Sequence, residues 1–272
     1  MEFEQQIDFE SSDAEKVDSA CDAINNRDLD KAEQLLLEVV HNTPKIYLNE
    51  FSDSEDSITI KFWDRAAFYH YISWQEKQGI KKSVNWILNA YPRAFFYLGF
   101  ICNERKLFEK AIKYLDRGAL LEPTNPHFKT EKAQALINSG RKKDALAIYD
   151  QITVIGPYVS AHDIAIAQRG CGFTLIEMGN LDQAEEAFNK SLKLEPENEL
   201  ARNELLYINH LRKGGSTTYS YSTKTFSPDK SICPICGKKF SEGVLLTETK
   251  DGEPQIICKS CELRMKKKWW QR

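Results

Sequence analysis

The stretch GFTLIEMGNLDQAEEAFNKSLKLEP, Gly172 to Pro196, decides the fold, because its spacing of small residues and proline returns upstream. Gly172 and Ala184 stand twelve residues apart, and Pro196 follows Ala184 by another twelve. Ala133, Ala145 and Pro157 repeat the triplet, as do Gly99, Ala111 and Pro123, and these two units are offset by 34 residues. A fainter copy reads Ala20, Ala32 and Pro44. Two antiparallel helices packed so closely that only Gly or Ala fits where they cross, the second stopped by proline, account for the triplet. Such a pair cannot bury its apolar face alone, so a repeat of this length predicts hairpins stacked into a solenoid.

In this register the chain resembles the tetratricopeptide repeat (TPR) family, whose repeat is two helices over 34 residues. Leu98, Gly99, Tyr149, Leu175, Gly179 and Phe188 fall where that family has its apolar and glycine positions, and the resemblance covers Asp13 to Pro196 with one weak unit. It implies an all-α fold, a TPR-type α-solenoid of about four to five helical hairpins with a capping helix. It also implies that the first helix of each pair lines a concave face that binds a peptide or protein. The positions matching that face are Phe96, Phe100, Asn103, Glu104, Thr130, Gln134, Asn138, Arg169, Phe173 and Glu177. Chaperone-binding members hold a C-terminal carboxylate there with a Lys, Asn and Arg clamp. This chain departs from the clamp, with Phe96 and Phe100 where the first Lys and Asn would stand.

Composition agrees with the class. The chain has 272 residues, 28% charged and 42% hydrophobic, which suits a folded helical protein rather than a disordered one. The net charge of −3 argues against nucleic-acid binding by the chain as a whole. No apolar run is long enough to span a membrane, and the start MEFEQQIDFESSD is acidic where a secretory signal is basic, so a cytoplasmic location is expected. Cys21, Cys102 and Cys171 fall on first helices of repeats, where a reduced Cys acts as a small apolar filler.

In chain order, residues 1–12 read as a polar tail and residues 13–213 as the solenoid with its cap. Within it, KIYLNEFSDSEDSITI has an acidic centre and no helical period, as in a surface connector. Lys61 to Tyr91 reads as two helices parted at Gly79, although Phe68 and Ile80 stand where the other units have Gly or Ala. Its many aromatics suit core filling or a contact patch. Five residues are added between the units ending at Pro157 and Pro196, within YVSAHDIAIA, as an extra turn of the first helix or a longer connector. Leu200, Leu205, Ile208 and Leu211 mark a helix that seals the stack, and residues 214–230, rich in Ser, Thr and Gly, form a flexible linker.

Residues 231–272 carry the sharpest chemical signal, two CxxC pairs, Cys233 with Cys236 and Cys258 with Cys261, separated by 21 residues. Two residues between thiolates let both sulfurs reach one tetrahedral ion, and two such turns complete a four-sulfur shell. GVLLTETKDGEPQIIC reads as a hairpin around Lys250, Asp251 and Gly252, followed by the start of a helix. The set resembles zinc-ribbon or treble-clef modules, which implies a small zinc-bound module of β-hairpin and helix. A closed shell makes the zinc structural; iron or a redox pair would also satisfy the thiolates. Lys266, Lys267, Lys268, Trp269 and Trp270 form a basic, aromatic tail suited to nucleic acid, to a membrane surface, or to packing on the hairpin.

No glycine-rich phosphate loop, GxSxG or HExxH is present, and the five His are scattered singly. The expected function is therefore that of a non-enzymatic adaptor or scaffold, binding a partner on the concave face and using the zinc module as a second interaction site. The alternative is a nucleic-acid-associated factor that contacts RNA or DNA through the module and its tail. Replacement of Cys233 or Cys258 by Ser leaves an incomplete shell, so each variant should lose its bound metal and the ordered NMR spectrum of residues 231–272 while far-UV helicity persists. A variant that kept one full equivalent of metal and that spectrum would contradict the four-thiolate assignment.

Overall fold

The small residues of the repeat lie where the helices cross. Ala20, Ala32, Ala111, Ala133, Ala145 and Ala184 are all fully buried. At Gly99 an added Cβ would sit 2.5 Å from the Leu115 side chain, and at Gly172 it would sit 2.5 Å from the Phe188 ring. Leu115 and Phe188 each follow their glycine by sixteen residues, as Leu36 follows Ala20 and Tyr149 follows Ala133, and all four are buried. One bulky side chain from the second helix thus fills the gap left by one small residue on the first.

The computed structural model describes residues 2–214, 243–246 and 255–258. Contacts divide the chain into two units, Met1–Arg212 and Lys213–Arg272. In the first unit four hairpins form: α1 (Glu2–Asn25) with α2 (Leu29–His41), α4 (Tyr91–Glu104) with α5 (Phe108–Leu121), α6 (Pro126–Asn138) with α7 (Lys142–Tyr149), and α8 (Ala161–Glu177) with α9 (Leu181–Leu194). A final helix, α10 (Glu199–Arg212), packs on α9 through Ala201, Leu205 and Ile208. Proline and capping residues set the starts: Pro126 follows the N-cap Asn125, and Ser160 and Asp163 close a reciprocal capping box on α8.

Three expectations are corrected. Residues 1–12 are no tail but the beginning of α1, with Glu10 and Asp13 buried because donors from elsewhere reach them. Lys61 Nζ lies 2.6 Å from Glu10 Oε2 and the Ala90 N–H donates to Glu10 Oε1, while the Asn42 amide donates to Asp13. The acidic connector is a β-hairpin, β1 (Glu50–Ser54) and β2 (Ser57–Phe62). Lys61 to Tyr91 is not a helical pair, because it continues as α3 (Arg65–Lys77) and then β3 (Ser83–Leu88), which pairs parallel with β2. The described fold is therefore mostly helical with a three-stranded sheet in the order β1-β2-β3, not all-α. Gly79 does end a helix, at φ +71°, but the residues after it are extended because Val84 and Trp86 pack against Phe62, Phe68 and Tyr71.

This β-β-α-β segment is an insertion and not a degenerate repeat, because α2 packs directly on α4 and closes the stack behind it. The five added residues go mainly into an extra turn of the first helix: α8 begins eleven residues before Gly172, whereas α6 begins seven before Ala133, and the connector 150–160 is long because α7 stops at Tyr149. That connector meets the insertion. Tyr158 joins the insertion's aromatic cluster and donates its hydroxyl to Glu50, and the His70 ring hydrogen-bonds the Gly156 carbonyl at 2.8 Å.

The second unit contains an antiparallel hairpin, β4 (Gly243–Leu246) with β5 (Gln255–Cys258), where a hairpin was expected. The Phe188 ring at Gly172 sets a steric test of the crossing. Gly172→Val should lower stability by about 1–3 kcal/mol through overpacking, read from the urea midpoint. Adding Phe188→Leu should recover part of that loss, and a double variant no better than additive would show that the two positions do not share the crossing.

Candidate functional site

The first helices form one continuous layer, since α1 touches α4, α4 touches α6 and α6 touches α8, while contacts between successive second helices are at most marginal. The stack therefore curves with its first helices inside, and the residues expected on the concave face stand in rows across this layer. Phe100, Gln134 and Phe173 share one repeat position, and Glu104, Asn138 and Glu177 another. The first row is half-buried and the second exposed. Phe100 packs on the core beneath it, and Phe173 stands edge-on to Phe188 at 5.1 Å between centroids. The Gln134 amide donates to Asn138 at 3.1 Å, the Thr130 hydroxyl donates to the His127 carbonyl, and Lys142 pairs with Glu177 at 3.1 Å.

Three of the expected groove residues are engaged elsewhere. Asn103 is buried, its amide donating to Glu131 Oε1 at 2.6 Å between α4 and α6. Arg169 is buried and donates to Ser191 at 3.0 Å and to Glu195, both on the second helix side of its own hairpin. A long cation facing that way gains two acceptors and leaves nothing for a ligand. Phe96 lies under Trp63, which comes from the insertion, with ring centroids 5.2 Å apart.

Trp63 is the residue that sequence reasoning missed. Its ring also lies against His127 and Phe128, at 5.1 and 5.6 Å, and its indole N–H donates to Glu122 Oε2 at 2.7 Å. Glu122 further accepts from the Asn89 amide at 2.5 Å and the Asn125 amide at 2.8 Å. Burial pushes its carboxyl up to about 7, against the pull of these donors. Glu195 holds the same repeat position before Pro196 and accepts from Arg169, His162 and Asn198. His162 corresponds to Asn89 and Arg169 to Phe96, so the insertion's indole stands in for the arginine that this turn uses elsewhere. The Leu-Glu-Pro recurrence at Glu122 and Glu195 was a usable signal for the turn. Nothing local to Trp63 announced its destination, 59 residues along the chain.

Cys102 and Cys171 are buried and Cys21 half-buried, and burial raises all three thiols, Cys171 up to about 12, so they stay protonated fillers. Among the described residues no group of three or more His, Cys, Asp or Glu is placed to hold a metal. Cys258 ends β5, while Cys233, Cys236, Cys261 and the tail Lys266–Trp270 lie outside the described residues.

Residues 172–198 match the tetratricopeptide repeat family model. Among solved structures, the chain is similar to a tetratricopeptide repeat protein from Parabacteroides merdae, at 17% identity over 75% of this chain and 61% of that one, with a TM-score of 0.49. The Sgt2 TPR domain from Aspergillus fumigatus shares 21% identity over 45% of this chain and 79% of its own, with a TM-score of 0.40. The first TPR of Spaghetti (RPAP3), solved bound to an HSP90 peptide, shares 20% over 45% and 93%, with a TM-score of 0.37. No curated protein matches the chain by sequence. Among the described residues, no helix is long and apolar enough to cross a membrane.

The Glu122 turn should report on pH. Its carboxyl is raised from 4.5 to about 7 in the fold, so the protonated form is favoured there and its stabilisation is fully present below about 4.5 and lost as pH rises through 7. Across that window the urea midpoint of the unmodified chain should fall relative to that of Glu122→Gln. Parallel profiles would show that Glu122 titrates as in the unfolded chain.

Proposed function

We propose that this chain is a non-enzymatic scaffold that binds a protein or peptide on the concave face of its tetratricopeptide-like stack. The observation that carries the reading is the alignment of two rows across three consecutive hairpins. Phe100, Gln134 and Phe173 offer half-buried apolar and amide surface, and Glu104, Asn138 and Glu177 stand exposed beside them. Half-buried rings can take an apolar side chain of a partner, and neighbouring amides can orient its backbone. The insertion restricts where this happens. Trp63 covers Phe96, so the open part of the face runs from Phe100 toward α8. Asn103 and Arg169, engaged inside the stack, drop out of the contact set.

The reading includes a structural Zn2+ in the C-terminal unit on Cys233, Cys236, Cys258 and Cys261. Gly243 pairs with Cys258, and Gly243 follows Cys236 by only seven residues, so the hairpin register supports bringing the two CxxC pairs together. Four thiolates form a closed shell that supplies folding free energy and leaves no position for water. In this reading the unit is a second interaction site and location is cytoplasmic.

The test is capture of partners by the tagged full-length chain with and without nuclease, repeated with Phe100→Ala and Phe173→Ala. A partner that survives nuclease and falls about tenfold in either variant, at a temperature where circular dichroism shows the fold intact, is the expected result. Sharply lower melting with unchanged capture would mean that the two rings serve only the core. Co-purifying nucleic acid in place of protein would favour the tail instead.

A further inference from the structure

Among the described residues four carboxylates are buried: Glu10, Asp13, Glu122 and Glu131. Glu10 meets Lys61 and the Ala90 N–H, Asp13 meets the Asn42 amide and Lys16, and Glu122 takes Trp63, Asn89 and Asn125. Glu131 differs. Its carboxyl accepts from the Asn103 amide alone, at 2.6 Å to Oε1. A carboxylate offers about four acceptor sites, so a single donor leaves most of its capacity unmet.

The donor is itself incomplete. Asn103 is only 6% exposed, its nitrogen holds the Glu131 carboxyl and backbone carbonyl, and its Oδ1 is buried without a hydrogen-bond partner. As a donor Asn103 is lost to a partner; as an acceptor it is not. That oxygen shares a carbon with the nitrogen that Glu131 holds, so it stays beside the carboxyl. Glu104, next in the chain, is exposed, and its carboxylate forms no hydrogen bond or ion pair among the described residues, though its charge reaches Glu131.

Three acceptors thus gather where α4 meets α6, and no cation answers them. Arg105 turns to Asp30 and Glu33, Lys132 to Asp116, and Lys142 to Glu177. Burial pushes the Glu131 carboxyl up to about 7; the Asn103 amide opposes the rise, the Glu104 charge adds to it, and no positive charge pulls it back. α8 carries Gly170 at the repeat position of Glu131, and the Tyr149 ring fills the place of its side chain, so that side brings an uncharged phenol. α1 meets α4 at the far end, where Asp18 pairs with Arg93. The cluster opens on the concave face, since Glu104 stands in its exposed row and Gln134, three residues on from Glu131, in its half-buried row.

We propose that Glu104, Glu131 and Asn103 Oδ1 form a subsite of the concave face that takes the ammonium of a lysine side chain from the bound partner. The inference rests on the reading of that face as the binding surface. An ammonium has three N–H donors and no acceptor, which matches three acceptors with no free donor. Its slender stem reaches groups below the surface, whereas a planar guanidinium calls for paired, coplanar acceptors. Binding supplies the donor that the Asn103 oxygen lacks and gives Glu131 a charge-assisted bond.

The probe is a phage-displayed library of random dodecapeptides selected on the immobilised full-length chain. Selected sequences should carry a lysine at a fixed distance from an apolar residue, and the lysine should vanish from selections on Glu131→Gln and on Glu104→Gln while the apolar preference stays. A fluorescein-labelled copy of the strongest sequence should lose at least about tenfold in affinity when norleucine replaces its lysine, and that difference should disappear in Glu131→Gln. Glu131→Gln should melt no lower than the unmodified chain, because it keeps the acceptor for Asn103 and removes the buried acid. Apolar selection without lysine, or lysine retained in both Gln variants, would overturn the subsite and leave the concave face standing. Selection indifferent to Phe100→Ala, Phe173→Ala and both Gln variants alike, or no selection at all, would overturn the reading of the face and the subsite with it.

Discussion

The rest of the stack depends on close approach at small residues, a Gly on the first helix of a hairpin facing a bulky side chain sixteen residues later on the second, with buried Ala at the same place in the other two hairpins. Gly99 against Leu115 and Gly172 against Phe188 are the tight cases, where even a methyl group would collide. Close approach there brings two helices near enough to present a shared apolar edge to the next pair, and stacking buries it. Because the contact is local in sequence, each hairpin can specify its own geometry, and only the junctions require long-range agreement.

The insertion acts on those junctions. Its segments meet α1 through Lys61 and Glu10, the turn before α6 through Trp63 and Glu122, and the connector before α8 through His70 and Gly156. Gly156 and Glu122 hold the same repeat position, so the one insertion, through Trp63 after β2 and His70 on α3, braces successive hairpins at matching turns. The buried carboxylates that result are satisfied by donors, which makes the contacts directional: a lost donor leaves a buried acceptor unpaired, at a cost of about 1–3 kcal/mol. Bracing of this kind restrains the curvature of a solenoid and, through Trp63 over Phe96, occupies one end of the inner face.

The comparison of Glu195 with Glu122 shows how one turn is adapted to two settings. In the fourth hairpin the carboxylate takes a guanidinium and an imidazole and remains partly exposed, and hydrogen bonds from His162 and Arg169 hold its pKa below the usual range despite some burial. In the second hairpin Phe96 stands where the arginine would be, the indole N–H arrives from the insertion, and full burial pushes the carboxyl the other way. Position in the repeat supplies the acceptor; the neighbourhood decides its charge state.

The stack was legible in the sequence because the rule that builds it is periodic. Two small residues and a proline recur at spacings of twelve, and from them the crossing residues and four hairpins could be read directly, while the apolar spacing from Leu200 to Leu211 marked the sealing helix α10. The β4–β5 pairing was legible as two β-rich runs in the sequence on either side of Lys250, Asp251 and Gly252. Residues 45–90 were not. Their apolar residues satisfy a helical spacing and a strand alternation equally well, and what separates the two is the pairing of β3 with β2, which gathers Phe62, Phe68, Tyr71 and Trp86 in one cluster that Tyr158, some seventy residues downstream, joins. The polar start of α1 misled in the same way, since Glu10 looks like a solvated charge until Lys61 and the Ala90 N–H are brought to it. Local pattern reports which residues can be buried; only the assembled chain brings the partners that determine which are.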